Sequence, residues 1–325
     1  MIAFAGNSLL CRLALKQTSI DAASFTFVRI FSGAAALWLI MKMRRSVTEV
    51  YLSRRSPAKA YDHRTFDGTP SPLVDESETR VRFPSPQSSP SGRGGSFSPR
   101  EKVRMRDAGN WLSALALFAY AAAFSFAYIN LSAGTGALLL FGAVQATMIL
   151  WGLGKGERLH ARQLIGLTVA LTGFVVLVLP GLSAPPFIGS ILMIGAGVAW
   201  GIYSLRGQAE KNPINATTGN FVRAVPLAAV VSIVLFPWAH LDRAGTGYAV
   251  LSGAIASGVG YVIWYTALLG LKATSAATVQ LSVPVLAATG GILLLGEPVT
   301  LRYLVASIAV LGGIALVVIE KHHPG

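Results

Sequence analysis

Long apolar runs separated by short polar stretches dominate this chain, in place of the amphipathic stripes typical of a soluble protein. Most of these runs approach the ~20 residues that a helix needs to cross a bilayer. We therefore predict an all-α integral membrane protein with ten transmembrane helices, the first of them shorter than an untilted span requires. The predicted spans are 1–15, 25–41, 111–131, 135–153, 163–179, 186–205, 219–238, 248–270, 275–295 and 303–319.

The two halves of this pattern repeat each other. A shift of 140 positions pairs the Gly-Glu dipeptide ending at Glu157 with the one ending at Glu297, and a shift of 194 positions pairs Arg29 with Arg223. Each half holds five predicted spans, and because that number is odd, the second half enters the membrane from the opposite side. The pattern therefore predicts two inverted five-helix repeats. They cover residues 1–179 and 186–320.

Residues 46–107 interrupt the first repeat with a different composition. They are rich in Ser, Pro, Gly and charged residues and poor in large apolar groups, which is typical of disorder. The two repeat shifts differ by 54 positions, so the first half carries an excess of similar length in this region. We predict a disordered cytoplasmic insertion, with a regulatory or partner-binding loop as the alternative.

Composition and charge agree with a lipid environment. Hydrophobic residues make up 53% of the chain and charged residues 13%, against about a quarter charged in soluble domains. The net charge of +13 does not indicate a nucleic-acid partner, because the basic residues stand between apolar runs, where they set topology. Thirteen basic residues near the spans fall on one face and four on the other. This bias predicts an inner-membrane protein with both termini in the cytoplasm.

Polar and aromatic residues inside the apolar runs are the candidates for a substrate cavity. Intramembrane amides need a hydrogen-bond partner, aromatic rings offer flat surfaces, and an intramembrane charge usually faces a cavity or a partner. The candidates are Asn7, Arg29, Tyr128, Gln145, Trp200, Arg223, Trp264, Tyr265, Gln280 and Pro284. Helix packing is the alternative for each, and for the two arginines so are snorkelling to the membrane surface and binding to helix-end carbonyls.

The helix ends carry a second set of expectations. Glu157 and Glu297 follow spans four and nine, where each carboxylate can cap the N-terminus of the next helix. Asp21 and Asn215 are expected to cap spans two and seven. Pro284 lacks a backbone donor and predicts a kink in span nine. A Gly-xxx-Gly pattern in span six, at residues 197 and 201, predicts close helix packing.

Several of these features together resemble a known family. They are the duplicated five-span unit, the Gly-Glu dipeptides closing spans four and nine, Pro284, and the segments Phe4-Ala5-Gly6-Asn7-Ser8 and Phe27-Val28-Arg29. In these respects the chain resembles the EamA-type transporters of the drug/metabolite transporter superfamily. The resemblance implies ten helices and the movement of small metabolites, often amino acids or toxic compounds and commonly outward. The chain departs from the pattern after Glu157, which lacks the proline that follows Glu297.

Enzymatic chemistry finds little support in the sequence. All five histidines lie outside the predicted spans, and neither a Walker A motif nor a Gly-x-Ser-x-Gly nucleophile elbow is present. The single cysteine, Cys11, excludes an internal disulfide, and no Cys/His cluster indicates a metal. We predict no enzyme activity, no cofactor and no metal. No Asp or Glu lies deep within a predicted span.

The sequence therefore predicts an inner-membrane transporter of small metabolites that works by alternating access, and the resemblance indicates an exporter. The alternative is a non-transporting sensor or scaffold, or a pseudo-transporter inactivated by the insertion and the short first helix. The predicted partners are a small-molecule metabolite and the lipid bilayer, without nucleic acid. The choice between a monomer and a homodimer stays open.

Overall fold

The described part of the chain is built from helices joined by short connections. A computed structural model describes residues 1–55, 109–156, 160–179, 184–208, 210, 212–268, 280 and 282–319, and these residues include no strand. The helices are α1 (Ile2–Gln17), α2 (Ala22–Arg55), α3 (Trp111–Ala127), α4 (Ala133–Gly154), α5 (Ala161–Val178), α6 (Phe187–Gln208), α7 (Pro213–Val234), α8 (Arg243–Val250), α9 (Gly260–Leu268), α10 (Ser282–Leu295) and α11 (Leu301–Ile319). A π-helical segment, π1 (Leu251–Val259), joins α8 to α9 directly.

Each predicted apolar run overlaps one of these helices, because a helix satisfies every backbone polar group internally. Among the described residues, five stretches are long and apolar enough to cross a membrane: Ala22–Arg44, Ala133–Gly154, Phe187–Gly207, Ile214–Val234 and Arg243–Trp264. Shorter apolar helices cover Trp111–Ala127, Ala161–Leu177, Ser282–Leu295 and Leu301–Leu316. The all-helical class is confirmed, whereas the count of ten spans and their inverted arrangement stay predictions.

Helix α2 is longer than the sequence pattern predicted. The apolar run ends near residue 41, but the helix continues to Arg55, ten residues into the predicted insertion. The prediction of disorder is therefore wrong for residues 46–55. Its remainder, from residue 56 onward, lies outside the described residues up to residue 108.

The two predicted helix caps have different outcomes. Asp21 caps α2 as predicted, since its Oδ1 accepts hydrogen bonds from the backbone N–H groups of Ala23 and Ser24 at 2.9 and 3.0 Å. The prediction for Asn215 is wrong, because α7 begins two residues earlier at Pro213. Proline already has the backbone φ of a first helical position and lacks one of the N–H groups that a helix start leaves unpaired.

The helices of the two halves pack against each other in a consistent pattern. Helix α5 packs on α11, α4 packs on α10, and α2 packs on α7 and π1. Helix α6 packs on α3 and α4, and α1 packs on α8, π1 and α10. Large buried side chains, among them Phe25, Phe124 and Tyr261, fill the centre of this arrangement.

Glycines permit two of these contacts to be close. A Cβ on Gly253 of π1 would overlap the backbone carbonyl of Arg29 in α2, so only glycine fits there. On α6, a Cβ on Gly197 would overlap the Leu140 carbonyl, and one on Gly201 would press on Thr147. The predicted Gly-xxx-Gly packing face is confirmed, and it faces α4.

Candidate functional site

A buried polar cluster, formed by Asn7, Arg29, Tyr120 and Ser252, lies between α1, α2, α3 and π1. The Arg29 Nη2 donates a hydrogen bond to the Tyr120 hydroxyl at 3.0 Å, and the Asn7 Nδ2 donates to the same oxygen at 3.2 Å. The Ser252 hydroxyl donates to the Asn7 Oδ1. Both halves of the chain therefore contribute to one hydrogen-bonded group, which we call the Arg29 cluster.

The guanidinium of Arg29 stands over two aromatic rings. Its Cζ atom lies 4.8 Å from the centre of the Phe124 ring and 5.2 Å from that of Tyr120, and the residue is 2% exposed. A desolvated cation–π contact contributes about 2 kcal/mol, whereas burying an ion costs several kcal/mol even after relaxation. The Arg29 Nη1 has no hydrogen-bond partner among the described residues. Arg29 is therefore buried among side chains of neighbouring helices rather than extended to the surface, and its place in a substrate cavity stays a prediction.

An aromatic wall, formed by Phe4, Trp200, Tyr261 and Trp264, borders the Arg29 cluster. The Trp200 ring centre lies 4.9 Å from that of Tyr120 and 5.0 Å from that of Tyr261. Phe4 contacts Trp200 and Trp264 edge to face, with centres 6.0 and 5.9 Å apart. Such a surface suits an apolar or aromatic part of a ligand, while the neighbouring cluster supplies the polar contacts.

The structure brings four of the predicted site residues together and separates three others. Asn7, Arg29, Trp200 and Trp264 belong to the cluster and its wall. Tyr128 caps the end of α3, where its hydroxyl donates to the Ala133 carbonyl at 3.3 Å. Gln145 is buried elsewhere, among residues of α4, α5 and α11. Arg223 is half-buried and donates from Nη1 to the Gly219 carbonyl of its own helix at 3.0 Å.

The remaining three candidates lie at or beyond the limits of the described structure. The side chain of Tyr265 lies outside the described residues. Gln280 is helical, and its Oε1 is buried without a hydrogen-bond partner in the described part. Pro284 is buried in α10, two residues after the first described residue of that helix. A kink at Pro284 stays a prediction, because residue 281 is not described.

Tyr120 and Ser252 are functional candidates that the sequence analysis missed. Tyr120, Phe124 and Tyr128 recur at intervals of four, which places three aromatic side chains on one face of α3. That spacing was a usable signal for Tyr120. Ser252 had none, since its position opposite Asn7 depends on how π1 packs against α1.

Glu297 lies in a second polar group, at the ends of α1, α3, α4 and α10. Its Oε2 accepts a hydrogen bond from the Ala133 backbone N–H at 2.8 Å, and its Oε1 pairs with the Arg12 Nε at 3.2 Å. Arg12 also donates from Nη1 to the carbonyls of Tyr128 and Ile129, both at 2.8 Å. We call this group the Glu297 clamp.

The clamp corrects one prediction. Glu297 was expected to cap the helix that follows it, but its carboxylate accepts from the first N–H of α4, at Ala133, 164 residues earlier in the chain, beside the N-cap Ser132. Helix α11 is capped instead by Thr300, whose Oγ1 accepts from the Tyr303 N–H at 3.1 Å. The equivalent prediction for Glu157 lies outside the described residues.

A cavity of about 210 Å³ adjoins the clamp. Glu297 and Tyr303 line one side of it, and Ser132 and Thr135 at the start of α4 line another. The predicted topology places this cavity on the periplasmic side. No group of His, Cys, Asp and Glu side chains within the described ranges is arranged to hold a metal ion.

Comparisons with known proteins extend this picture. The profile of the EamA-like transporter family matches residues 187–319. An uncharacterised protein of Pseudomonas aeruginosa is 48% identical over 321 residues, which cover 99% of this chain and 92% of that protein. The threonine/homoserine exporter RhtA of Salmonella typhimurium is 35% identical over 119 residues, 34% of this chain and 39% of its own. A probable amino-acid metabolite efflux pump of Escherichia coli is 27% identical over 211 residues, 59% of this chain and 70% of its own.

A solved structure agrees at the level of the fold. One crystal structure, 16% identical in sequence, aligns with 99% of this chain and 98% of its own with a TM-score of 0.56. The family and the names of the relatives indicate a transporter rather than an enzyme. Together with the apolar helices, these findings show that the chain is a membrane protein that belongs to the EamA-like transporter family of the drug/metabolite transporter superfamily.

Proposed function

We propose that the protein exports small metabolites across the inner membrane, and that the Arg29 cluster and its aromatic wall hold the solute. The observation that carries this proposal is a buried, hydrogen-bonded group to which both halves of the chain contribute, with Arg29 and Asn7 from one half and Ser252 from the other. An ionisable residue within a helical membrane bundle is by default a candidate for a solute pathway, and convergent polar groups beside apolar and aromatic surface are typical of ligand sites.

Alternating access between two inverted five-helix repeats is the proposed mechanism. The packing pattern supports it, because the main helix contacts come in pairs related by the repeat. The contact of α3 with α6 corresponds to that of α8 and π1 with α1, and the contact of α4 with α6 corresponds to that of α10 with α1. The pairs α2–α7, α4–α10 and α5–α11 each join equivalent helices of the two halves. Because the contacts come in related pairs, each half can adopt the arrangement of the other. The protein can therefore have two conformations of similar energy, one open to each side of the membrane.

The proposed direction and solute class draw on the relatives. Two of them carry names that describe amino-acid export or efflux. Both termini are proposed to lie in the cytoplasm, which puts the cavity beside Glu297 on the periplasmic side as an exit route. Amino acids and related small metabolites are therefore the first solutes to test.

Transport in proteoliposomes tests the proposal. Full-length protein would be reconstituted and assayed by counterflow with a panel of labelled amino acids. We expect at least one solute to exchange, and Trp200→Ala to slow it by up to about tenfold, because one aromatic contact contributes about 0.5–1.5 kcal/mol to binding. Trp238→Ala is the matched control, since Trp238 is 67% exposed on a short turn after α7.

The same assay distinguishes a transporter from the alternative, a non-transporting sensor or scaffold. A well-folded protein that exchanges no solute, and that confers no change in growth on a broad metabolite panel when overproduced, would favour a sensor or scaffold. Equal exchange by Trp200→Ala and the wild type would remove the aromatic wall from the pathway.

A further inference from the structure

Arg29 is a buried cation with no carboxylate partner among the described residues. The described residues contain one ion pair, between Arg12 and Glu297, and no Asp or Glu lies deep within a predicted span. The described residues therefore offer Arg29 no carboxylate. We propose that the solute supplies it: Arg29 binds a carboxylate group of the transported molecule. This inference rests on the transport function proposed above and adds the chemical class of the solute.

Two donors in the cluster are available to one anion. The Arg29 Nη1 is buried without a hydrogen-bond partner among the described residues, while Nη2 is held by the Tyr120 hydroxyl. The Tyr120 oxygen already accepts from Arg29 and from Asn7, which occupies both of its lone pairs. Its own O–H hydrogen has no acceptor in the described part. A carboxylate has two oxygens and can accept from both groups at once.

The charge and the surroundings select a carboxylate over other anions. A single guanidinium balances a single negative charge, whereas a phosphate monoester carries nearly two at neutral pH. A planar carboxylate also matches the planar guanidinium, which already lies against the rings of Tyr120 and Phe124. Trp200, 4.9 Å from Tyr120, then faces the remainder of the solute. The expected ligand is a small monocarboxylate with an apolar, aromatic or zwitterionic remainder.

The repeat supplies a matched control for Arg29. Arg223 occupies the equivalent position in the second half, but it is half-buried and donates to the Gly219 carbonyl of its own helix. It lies outside the proposed anion site. The two Arg→Gln variants therefore remove the same group from equivalent sequence positions and differ in their surroundings.

Binding to purified full-length protein tests the inference. The probes are L-phenylalanine, L-threonine and benzoate, each compared with its carboxamide, at fixed chloride concentration, with a separate titration of chloride alone. Affinity is measured by tryptophan fluorescence and by ligand-induced thermal stabilisation. We expect at least one acid to bind about tenfold or more tightly than its amide, the factor that corresponds to one hydrogen bond with a charged group.

Substitutions test whether the preference for acid over amide comes from the Arg29 cluster. Arg29→Gln should abolish the preference for acid over amide, Arg29→Lys should keep part of it, and Arg223→Gln should leave it unchanged. Tyr120→Phe keeps the ring that packs on Arg29 and should weaken acid binding without changing amide binding. Without ligand, Arg29→Gln should unfold at the same temperature as the wild type or higher, because it removes an unbalanced charge.

Several results would overturn the inference. They are equal affinity for acids and amides, an acid preference that survives Arg29→Gln, saturation by chloride with no added effect of acids, and no acid binding anywhere in the panel. A lower unfolding temperature of ligand-free Arg29→Gln would make the arginine a structural cation.

The binding and transport assays can contradict the anion site and the transport function independently of each other. Acid-selective binding without counterflow would leave the anion site and remove the transport function. Counterflow of amides or neutral solutes that does not depend on Arg29 would support the transport function and remove the anion site.

Discussion

Arg29 and Arg223 stand at equivalent positions of the two halves, yet their surroundings differ. Arg29 is buried against Tyr120 and Phe124 and bonds across to another helix. Arg223 is half-buried and bonds within its own helix. The sequence environments match at Phe27-Val28 and Phe221-Val222, so the difference arises from the helices that pack around them. A duplicated sequence thus supplies equal starting positions, and tertiary neighbours decide which copy is buried.

A second pair of arginines shows the same divergence. Arg12 pairs with Glu297 and binds two backbone carbonyls at the end of α3. Its counterpart Arg206 donates to the neutral side chains of Ser113 and Asn110, at 2.9 and 3.0 Å. One copy therefore closes an ion pair between helix ends, and the other makes hydrogen bonds with the start of α3.

The largest expected effect comes from Glu297→Ala. The substitution leaves the Arg12 guanidinium without its carboxylate and the Ala133 N–H at the start of α4 without its acceptor, and breaking a buried pair in this way costs about 3–5 kcal/mol. Unfolding of the purified protein in detergent, followed by denaturant titration, measures the loss. Glu157→Ala, the repeat-related substitution, is compared in parallel. An equal loss in both variants would show that Glu157 stabilises its half as much as Glu297 stabilises the other, and would contradict the divergence of the two halves.

A smaller contrast is expected between Arg12→Gln and Arg206→Gln. Arg12 gives up an ion pair and two carbonyl bonds, so we expect a loss of about 3 kcal/mol, against about 2 kcal/mol for Arg206, whose two partners are neutral. The free energy of unfolding is measured for both variants in the same detergent. Equal losses would contradict the divergence of the two halves described above.

The smallest effect concerns acid stability. Partial burial raises the pKa of the Asp21 carboxyl, but hydrogen bonds from Ser24, His240 and Ala23 outweigh it and hold the pKa below its usual value. A carboxyl with a lowered folded pKa stabilises the fold above its unfolded pKa of about 3.9, and this contribution disappears as the pH falls through the folded pKa. Asp21→Asn should therefore flatten the loss of stability below about pH 4.

Thermal unfolding between about pH 3 and pH 6 measures this change around the ordinary carboxyl pKa. Asp242 serves as the internal reference, because a hydrogen bond from the Gly245 N–H and further bonds also hold the pKa of its carboxyl low. Asn215→Asp adds a carboxyl at the repeat-related position, inside the first turn of α7. An unchanged acid profile in Asp21→Asn would assign the acid sensitivity to other groups.

Much of the helical architecture could be predicted, because lipid leaves few choices for the backbone. A run of apolar residues in a bilayer must satisfy its own N–H and C=O groups, and a helix is the local way to do so. The predictions of helix ends failed outside the apolar runs, where lipid no longer constrains the backbone. Residues 46–55 are polar, yet they continue α2, and Pro213 starts α7 ahead of the expected cap at Asn215.

The candidate site could be predicted only in part. Polar groups inside apolar runs are costly in lipid and usually face a partner or a cavity. This reasoning, with the aromatic residues of the same runs, identified Asn7, Arg29, Trp200 and Trp264. Gln145 followed the same reasoning but packs between other helices. The partner of Glu297 could not be found from the sequence, because the start of α4 reaches it only through the packing of α4 against α10.

Segment π1 gives its helix a freedom that an unbroken α-helix lacks. In a π-helix each N–H bonds to the carbonyl five residues back rather than four, so each wide turn holds surplus chain. If one turn tightens to α geometry, everything after it rotates about the helix axis by about 100°, the angle of one residue. Tyr261 and Trp264 follow π1 directly, in α9. A change of hydrogen-bond register could thus re-aim part of the aromatic wall by torsion, while Gly253 keeps the helix axis pressed against α2.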